Sequence, residues 1–493
     1  MTQLVAAILI AGLLGTGCAT NPVTGFPIVT LLSTKQEVGL GEKAAQEVAQ
    51  SIGLVPDAGL TDYVQAIGNR LAKESPRKDV TYTFHVVDMP EPTAFALPGG
   101  YIYVSRGILL LLNSEEELAG VLGHEIGHVA ARHGVRQLTL AAPFALASAI
   151  VGGAAGIISP RLGQALSAVP RLMGSALVRL YSREQENDAD QIGVRLAAKA
   201  GWNPGGLVTA LRQLERGQAL LAGAPRKAGF FDSHPKTPDR VARMDQIVRD
   251  APWTAQPPVA PSHEAFLAKF EGLLVGPASA AGQAREDNLF LHPDLAIALT
   301  FPKEWIVTDT QEGVQATATD GTALIALTIA GTGNDPMEPV RAIEREGHPK
   351  VLEKARRLTI AARPAARLVL ELRTKEGPMA VDFTWIAYRN TVYQIAGICP
   401  IHAYQQHEPL FTETARTFRS VTAEERASTQ TTRLRIVPAK DGETVESLAA
   451  RIGGTWSAKQ VAVANGLDDP AVPLAKGQLM KVAIREPYIG FGR

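Results

Sequence analysis

Only ten histidines occur in 493 residues, and two of them bracket an acid in Leu122-Gly-His-Glu-Ile-Gly-His-Val129. This is an H-E-x-x-H pattern. On a helix, a spacing of four stacks the His124 and His128 rings on one face, about one turn apart. Two ring nitrogens so placed can reach one zinc ion at roughly 2.0–2.1 Å. Glu125 stands beside the first of them, placed to take a proton from an attacking water. The plainer alternative is a pair of surface or core histidines. The apolar neighbours count against it, since a buried imidazole without a partner is costly.

The elements that must carry these residues follow from the flanking pattern. Asn113-Ser-Glu-Glu-Glu117 reads as a helix start, with Ser114 and Glu117 as a capping box. Leu118, Val121, Leu122, Ile126 and Val129 then recur at helical spacing. A catalytic zinc needs a third protein ligand and an open position. Acids suited to this lie in Tyr181-Ser-Arg-Glu-Gln-Glu-Asn-Asp-Ala-Asp190, at the start of a second helical pattern. Glu186 and Asp190 share a face, so one can bind metal while the other holds a ligating histidine. Spacing alone serves Glu184 and Asp188 equally well.

These residues resemble the gluzincin zinc metallopeptidases related to the CAAX prenyl protease, HtpX and BepA, which carry H-E-x-x-H on one helix and E-x-x-A-D on another. Here the second motif is Glu186-Asn-Asp-Ala-Asp190. The resemblance implies a single zinc held by His124, His128 and Glu186, with Asp190 orienting a ligand. Thr93-Ala-Phe-Ala-Leu-Pro-Gly-Gly-Tyr-Ile-Tyr-Val104 is similar to the family's strand at the cleft edge. It implies that Thr93, Ala94, Phe95 and Ala96 bind substrate main chain, with Thr93 standing where the family usually has Asn. Ser233-His-Pro-Lys-Thr-Pro-Asp-Arg240 is similar to the family's H-P…R motif. It places His234 and Arg240 near the metal, where they would support the oxyanion of a tetrahedral intermediate. His234 would alternatively fill the open metal position at rest. His133 is too far along the helix to join the pair, and it reads as structural.

The chain opens on an uncharged apolar run ending in Gly17-Cys18. Residues 1–18 read as a signal peptide of lipoprotein type, with Cys18 lipidated, although no Lys or Arg precedes the run. Balanced charge, 49 basic against 49 acidic residues, argues against nucleic acid as a partner. Hydrophobic content of 46% supports several cores. The expected fold class is α+β and multidomain. A mainly helical metallopeptidase domain with a small edge sheet spans 19–255. A linker follows over 256–285, then an α+β antiparallel-sheet domain over 286–421 and a second linker over 422–433. Within 286–421, the Phe301-Pro-Lys-Glu-Trp305 turn resembles domains of the PsbP and Mog type. A small module over 434–484, with a tail to 493, is similar to LysM domains through Asp441-Gly-Glu-Thr-Val-Glu-Ser-Leu-Ala449 and Val463-Ala-Asn-Gly-Leu467. From Gln137 to Pro160 no charge occurs, and a hairpin over the cleft or at a membrane surface is expected there.

The functional expectation is a zinc endopeptidase of the bacterial envelope, exported to the periplasm and membrane-anchored through Cys18. It would cut unfolded or extended polypeptides, and the LysM-like segment would offer a contact to peptidoglycan. The alternative is a wall-bound chaperone or scaffold with a latent or structural zinc. The complete Glu125 favours the enzyme, because a structural site needs no base.

Overall fold

The structure, a computed structural model, describes residues 19–28, 30, 32–137, 181–221, 229–235, 238–276, 283–284, 287–310, 313–346, 350–374 and 377–488. The signal-peptide and Cys18 expectations, most of the uncharged 137–160 stretch and the end of the tail fall outside them. The chain forms two compact units, 1–276 with 432–485, and 277–431 with 486–493. It is an α+β multidomain architecture, mainly helical in its N-terminal part and rich in sheet further on.

The first unit opens on a short hairpin, β1 (Ala19–Thr20) with β2 (Pro27–Ile28). Helices α1 (Thr34–Ser51) and α2 (Ala58–Ala72) follow, capped by Ser33 and Asp57. Each cap side chain accepts from the backbone N–H three residues on, at Gln36 and Leu60. Next come β3 (Thr83–Val87), β4 (Ala94–Leu97) and β5 (Tyr101–Ser105), in the order β3-β5-β4. β5 runs parallel to β3 and antiparallel to β4, which leaves β4 at the edge. The turn between β4 and β5 uses Gly99 and Gly100 at φ 83° and 103°, a region where a side chain is strained.

After α3 (Arg106–Leu109) comes α4 (Glu115–Ala130), the helix that carries H-E-x-x-H. Ser114 caps it by accepting from the Glu117 N–H. The reciprocal half of the expected box is shifted by one residue, since Glu117 accepts from the Asn113 N–H at 2.6 Å. Then follow α5 (Arg183–Lys199), α6 (Gly206–Leu221), α7 (Phe230–Ser233), α8 (Pro238–Asp250) and α9 (His263–Ala268). One apolar core joins α2, the sheet, α4, α5 and α6 through residues such as Ile67, Phe84, Val121, Val194 and Leu211. Part of the stretch expected as a linker belongs to it. Phe266, Leu267, Phe270 and Leu273 are buried there, because their spacing puts apolar side chains on one face of α9 and the turn after it.

In the second unit, β6 (Gln283–Ala284), β7 (Leu289–His292) and β8 (Ile297–Thr300) belong to a four-stranded sheet. β9 (Ile306–Thr310), β10 (Gly313–Thr317) and β11 (Leu324–Thr332) precede α10 (Glu338–Glu346). The long strands β12 (Lys350–Ile360), β13 (Arg363–Thr374), β14 (Gly377–Tyr388) and β15 (Thr391–Pro400) complete an antiparallel sheet ordered β12-β13-β14-β15-β11-β10-β9. α11 (Tyr404–Arg416) lays Phe411 and Ala415 into the core with Trp305, Ile325 and Ile395. β16 (Arg419–Ser420) edges the smaller sheet, beside β8. The polar stretch from 422, also expected as a linker, holds α12 (Ala423–Ser428), because Thr422 and Glu425 form a capping box.

The C-terminal segment is strand, helix, helix, strand: β17 (Gln430–Pro438), α13 (Val445–Ile452), α14 (Ala458–Ala464) and β18 (Leu479–Pro487), with β17 paired to β18. Val445, Leu448, Val461, Met480 and Val482 make a small core. The segment is not set apart as a discrete LysM-type fold. Lys481 is fully buried and donates from Nζ to the carbonyls of Leu110 and Leu112, at 2.9 and 2.7 Å. Glu271 accepts from the Ile436 N–H at 2.7 Å. These polar contacts, the Lys481 pair buried and the Glu271 one exposed, tie residues 432–485 into the first unit.

Candidate metal centre

Small residues at the crossing of α4 and α5 assemble the site. A Cβ on Gly127 would lie 2.7 Å from the Ala189 carbonyl, and one on Gly193 would lie 2.8 Å from the His124 nitrogen. The two backbones therefore approach more closely than side chains would allow. That approach delivers the start of α5, with Glu186, against the histidine face of α4. Ser182 and Gln185 hold this start in place as a capping box.

His124 Nε2 and His128 Nε2 are 3.0 Å apart. Glu186 reaches both, with Oε1 3.4 Å from His128 and Oε2 3.7 Å from His124. His234, which follows α7, joins them with Nδ1 3.0 Å from Glu186 Oε1 and 3.2 Å from His124 Nε2. One donor atom from each of the four falls within 4.8 Å of the others, and all four residues are buried. Among the acids that spacing could not separate, Glu184 is exposed and Asp188 faces elsewhere.

Asp190 lies 3.0 Å from His124 Nδ1 and pairs with Arg240 at 2.7 Å through both Nε and Nη2. Arg240 Nη1 lies 2.7 Å from Glu186 Oε2. Its Nε, Nη1 and Nη2 are thus turned toward the two acids. Glu125 is fully buried, and neither carboxylate oxygen has a hydrogen-bond partner among the described residues. Its nearest charged neighbour is His234 Nε2 at 3.5 Å.

The electrostatics match this crowding. Burial pushes the Glu125 carboxyl above its ordinary value, with His234 and His124 only partly opposing. Burial also pulls the His128 imidazole well below the usual histidine range, which keeps it a neutral lone-pair donor. For Glu186, burial acts upward, yet His234 and His128 hold the carboxyl well below the carboxylate range. The His124 and His128 rings aim Nε2 at one another beside the Glu186 carboxylate, so lone-pair donors crowd one buried space. A divalent cation answers that crowding, and a His, His, Glu set suits zinc.

Edge strand β4 packs along α4. Thr93 is buried and held by Ser105, through its N–H to Oγ at 3.0 Å and its carbonyl from the Ser105 N–H at 2.9 Å. Ala94 and Phe95 point into the protein, Phe95 stacking on Tyr103, and Ala96 is half-buried. His85 stacks on Tyr103 and lies outside the cluster.

Sequence reasoning missed two neighbours of His128. Tyr181 stacks on its ring with centroids 3.8 Å apart. His133 Nδ1 sits 3.0 Å from His128 Nδ1. The expectation that His133 lies too far along holds only if α4 continues. The helix ends at Ala130, and Arg132 takes a positive φ of 52°, which turns the chain back and returns His133 to the site. No residue type at 132 announces that turn.

Residues 59–248 match Peptidase family M48. The chain is 25% identical over 281 residues to the beta-barrel assembly-enhancing protease of Yersinia pestis, covering 55% of this chain and 57% of that protein. It is 29% identical over 218 residues to the mitochondrial metalloendopeptidase OMA1 of Schizosaccharomyces pombe, covering 44% of this chain and 62% of that one. The chain thus spans less than two thirds of the length of either relative. Among solved structures, cyanobacterial PsbP from Synechocystis aligns with 29% of this chain and 98% of its own at 11% identity, with a TM-score of 0.23. His124, His128, Glu186 and His234, four buried residues whose donor atoms could hold one metal, all lie within the stretch that matches Peptidase family M48.

Proposed function

We propose that the protein is a zinc-dependent endopeptidase of the bacterial cell envelope that hydrolyses misfolded or unassembled polypeptides. The observation that carries this reading is the convergence of His124, His128 and Glu186 beside an unpartnered, buried Glu125. Those three residues would hold zinc, which when bound supplies Lewis acidity to the scissile carbonyl and the attacking water. Glu125 takes the water's proton and returns it to the leaving amine, and its raised carboxyl affinity for protons suits both halves of that task. Asp190 holds His124 through Nδ1, and Arg240 fixes Asp190 and Glu186 in turn. Main-chain hydrogen bonding along β4, over Thr93–Ala96, would take an extended substrate with broad side-chain tolerance.

The position of His234 supports a resting state in which its imidazole completes the ligand set. It stands as close to the other donors as they stand to one another. Moving it aside would open the fourth position to substrate.

Anchorage through a lipidated Cys18 and a contact to peptidoglycan through the 434–484 segment complete the proposal. Its basis is the leader pattern and the strand-helix-helix-strand order of that segment. Relatives from Yersinia pestis and Escherichia coli carry the name beta-barrel assembly-enhancing protease. The central test is cleavage of unfolded casein by the purified protein with and without a chelator. Chelator-sensitive cleavage that increases in His234→Ala is the expected result. Bound zinc with no cleavage in either protein would favour the scaffold alternative.

A further inference from the structure

We propose that Asn21, Asp188 and His133 form a positioning relay for His128, which makes the N-terminal hairpin part of the metal site's support. The proposal rests on the zinc reading above.

His128 turns Nε2 toward the ligand cluster, so its proton belongs on Nδ1 when that face binds a cation. Nδ1 meets His133 Nδ1 at 3.0 Å. Donation in that direction requires His133 to accept there and to carry its own proton on Nε2. That nitrogen faces Asp188 Oδ2 at 3.8 Å, an electrostatic approach longer than a hydrogen bond. Asn21 Nδ2 then donates to the same Oδ2 at 2.6 Å. The amide cannot be reversed, because Asn21 Oδ1 already accepts from the Val23 and Thr24 N–H groups at 2.8 and 3.1 Å. The two ring protons therefore point away from the metal face toward Asp188, which accepts from Asn21 on its other side, and each group fixes the tautomer or rotamer of the next.

All members are buried: His133 to 1%, Asn21 to 8% and Asp188 to 9% exposure. Asn21 is also locked by its main chain, donating to Phe26 and accepting from Gly25, both at 2.8 Å. Between the paired strands β1 and β2, this residue is a fixed post. A ligating imidazole needs its outer nitrogen held to keep ring orientation, and losing such a partner typically weakens metal binding about 10–100-fold. The unusual consequence is that a segment only three residues beyond Cys18 in sequence reaches the ligand through two intermediates. How that segment is held would then tune zinc affinity.

The test uses the full chain and measures zinc affinity by competition with a chromophoric chelator, the absorption spectrum of the cobalt(II)-substituted protein, and melting of the metal-free protein. His133→Phe should weaken zinc about 10–100-fold and alter the cobalt spectrum, and Asn21→Leu should weaken it about tenfold. His133→Asn, which keeps an acceptor near the Nδ1 position, should recover most of the loss. Thr24→Ala, in the same hairpin but outside the path, should bind zinc like the wild type. Metal-free melting of Asn21→Leu should stay close to wild type, separating positioning from folding. The relay is overturned if His133→Phe and Asn21→Leu bind zinc as tightly as wild type, or if Thr24→Ala weakens binding equally. Failure of the wild type itself to bind zinc would instead sink the metal reading, and the relay with it.

Discussion

Arg367, on β13 of the sheet-rich unit, and Glu125, on α4 of the helical one, are both buried charged side chains with opposite surroundings. Arg367 donates to Asp382 at 2.9 and 2.6 Å, to Tyr404 at 2.9 Å and to Glu408 at 3.0 Å, with Glu353 at 3.2 Å. Every direction of its guanidinium is met by the protein. Glu125 meets no hydrogen-bond donor among the described residues, and ligand-type residues beside it aim donor atoms into a shared space. A satisfied buried charge is structural, since little is left over to act on another molecule. Unmet buried groups that converge ask for something from outside, and they are where chemistry is expected.

The comparison breaks most visibly at Glu125. Glu125→Gln should lower casein cleavage by about 10²–10⁴-fold, the usual contribution of a general base, while zinc content stays the same. Cleavage near the wild-type rate would show that the unpartnered carboxylate is idle. Arg367→Met should do the reverse. It strands Asp382 and should cost roughly 3 kcal/mol of stability in the sheet-rich unit, with zinc affinity unchanged by chelator competition. The double variant Arg367→Met, Asp382→Leu should regain much of that loss in a urea titration, since an apolar pair of similar volume replaces the ion pair.

Gly127→Ala probes how the convergence is built. Its Cβ would press on the Ala189 carbonyl at 2.7 Å, so α5 must move and carry Glu186 with it. An overpacking cost of about 1–3 kcal/mol should appear mainly as weakened zinc binding, measured by the same competition. Unchanged affinity would mean that Glu186 is positioned independently of the crossing.

Lys481 is a third kind of buried charge, held among the described residues by the Leu110 and Leu112 carbonyls, and it should give the smallest effect. Burial pulls its ammonium down from 10.5 to about 7, with Glu117 opposing. Between these values the unfolded chain binds more protons than the folded one, so stability should rise with pH from about 7 toward 10.5 and level off below 7. Lys481→Met should flatten that rise when melting temperature is followed between pH 7 and 9.5. An unchanged slope would assign the pH dependence to other groups.

Much of the site was legible before any coordinates, because H-E-x-x-H is a local pattern whose meaning depends only on helical periodicity. Ser114 as the cap of α4 and the apolar stripe from Leu118 to Val129 follow from the same rule. Less was legible about His234 and Arg240. Their positions near the metal came from resemblance, and only packing showed Arg240 gripping Asp190 and Glu186 with all of its inner donors. Composition shows Pro, Ala and Gly across the first stretch expected as a linker, and Phe266 and Phe270 within it lie in the core of the first unit.

Short-range order alone therefore determined which side chains could bind a metal, since a four-residue step on a helix puts two rings on one face whatever surrounds it. The tertiary structure decided which acid joins them. Glu184, Glu186, Asp188 and Asp190 all stand within seven residues on α5, and their separate fates depend on where a neighbouring helix crosses. That crossing is set by glycines at 123, 127 and 193 meeting across space, a coincidence between distant positions that one-dimensional spacing does not encode.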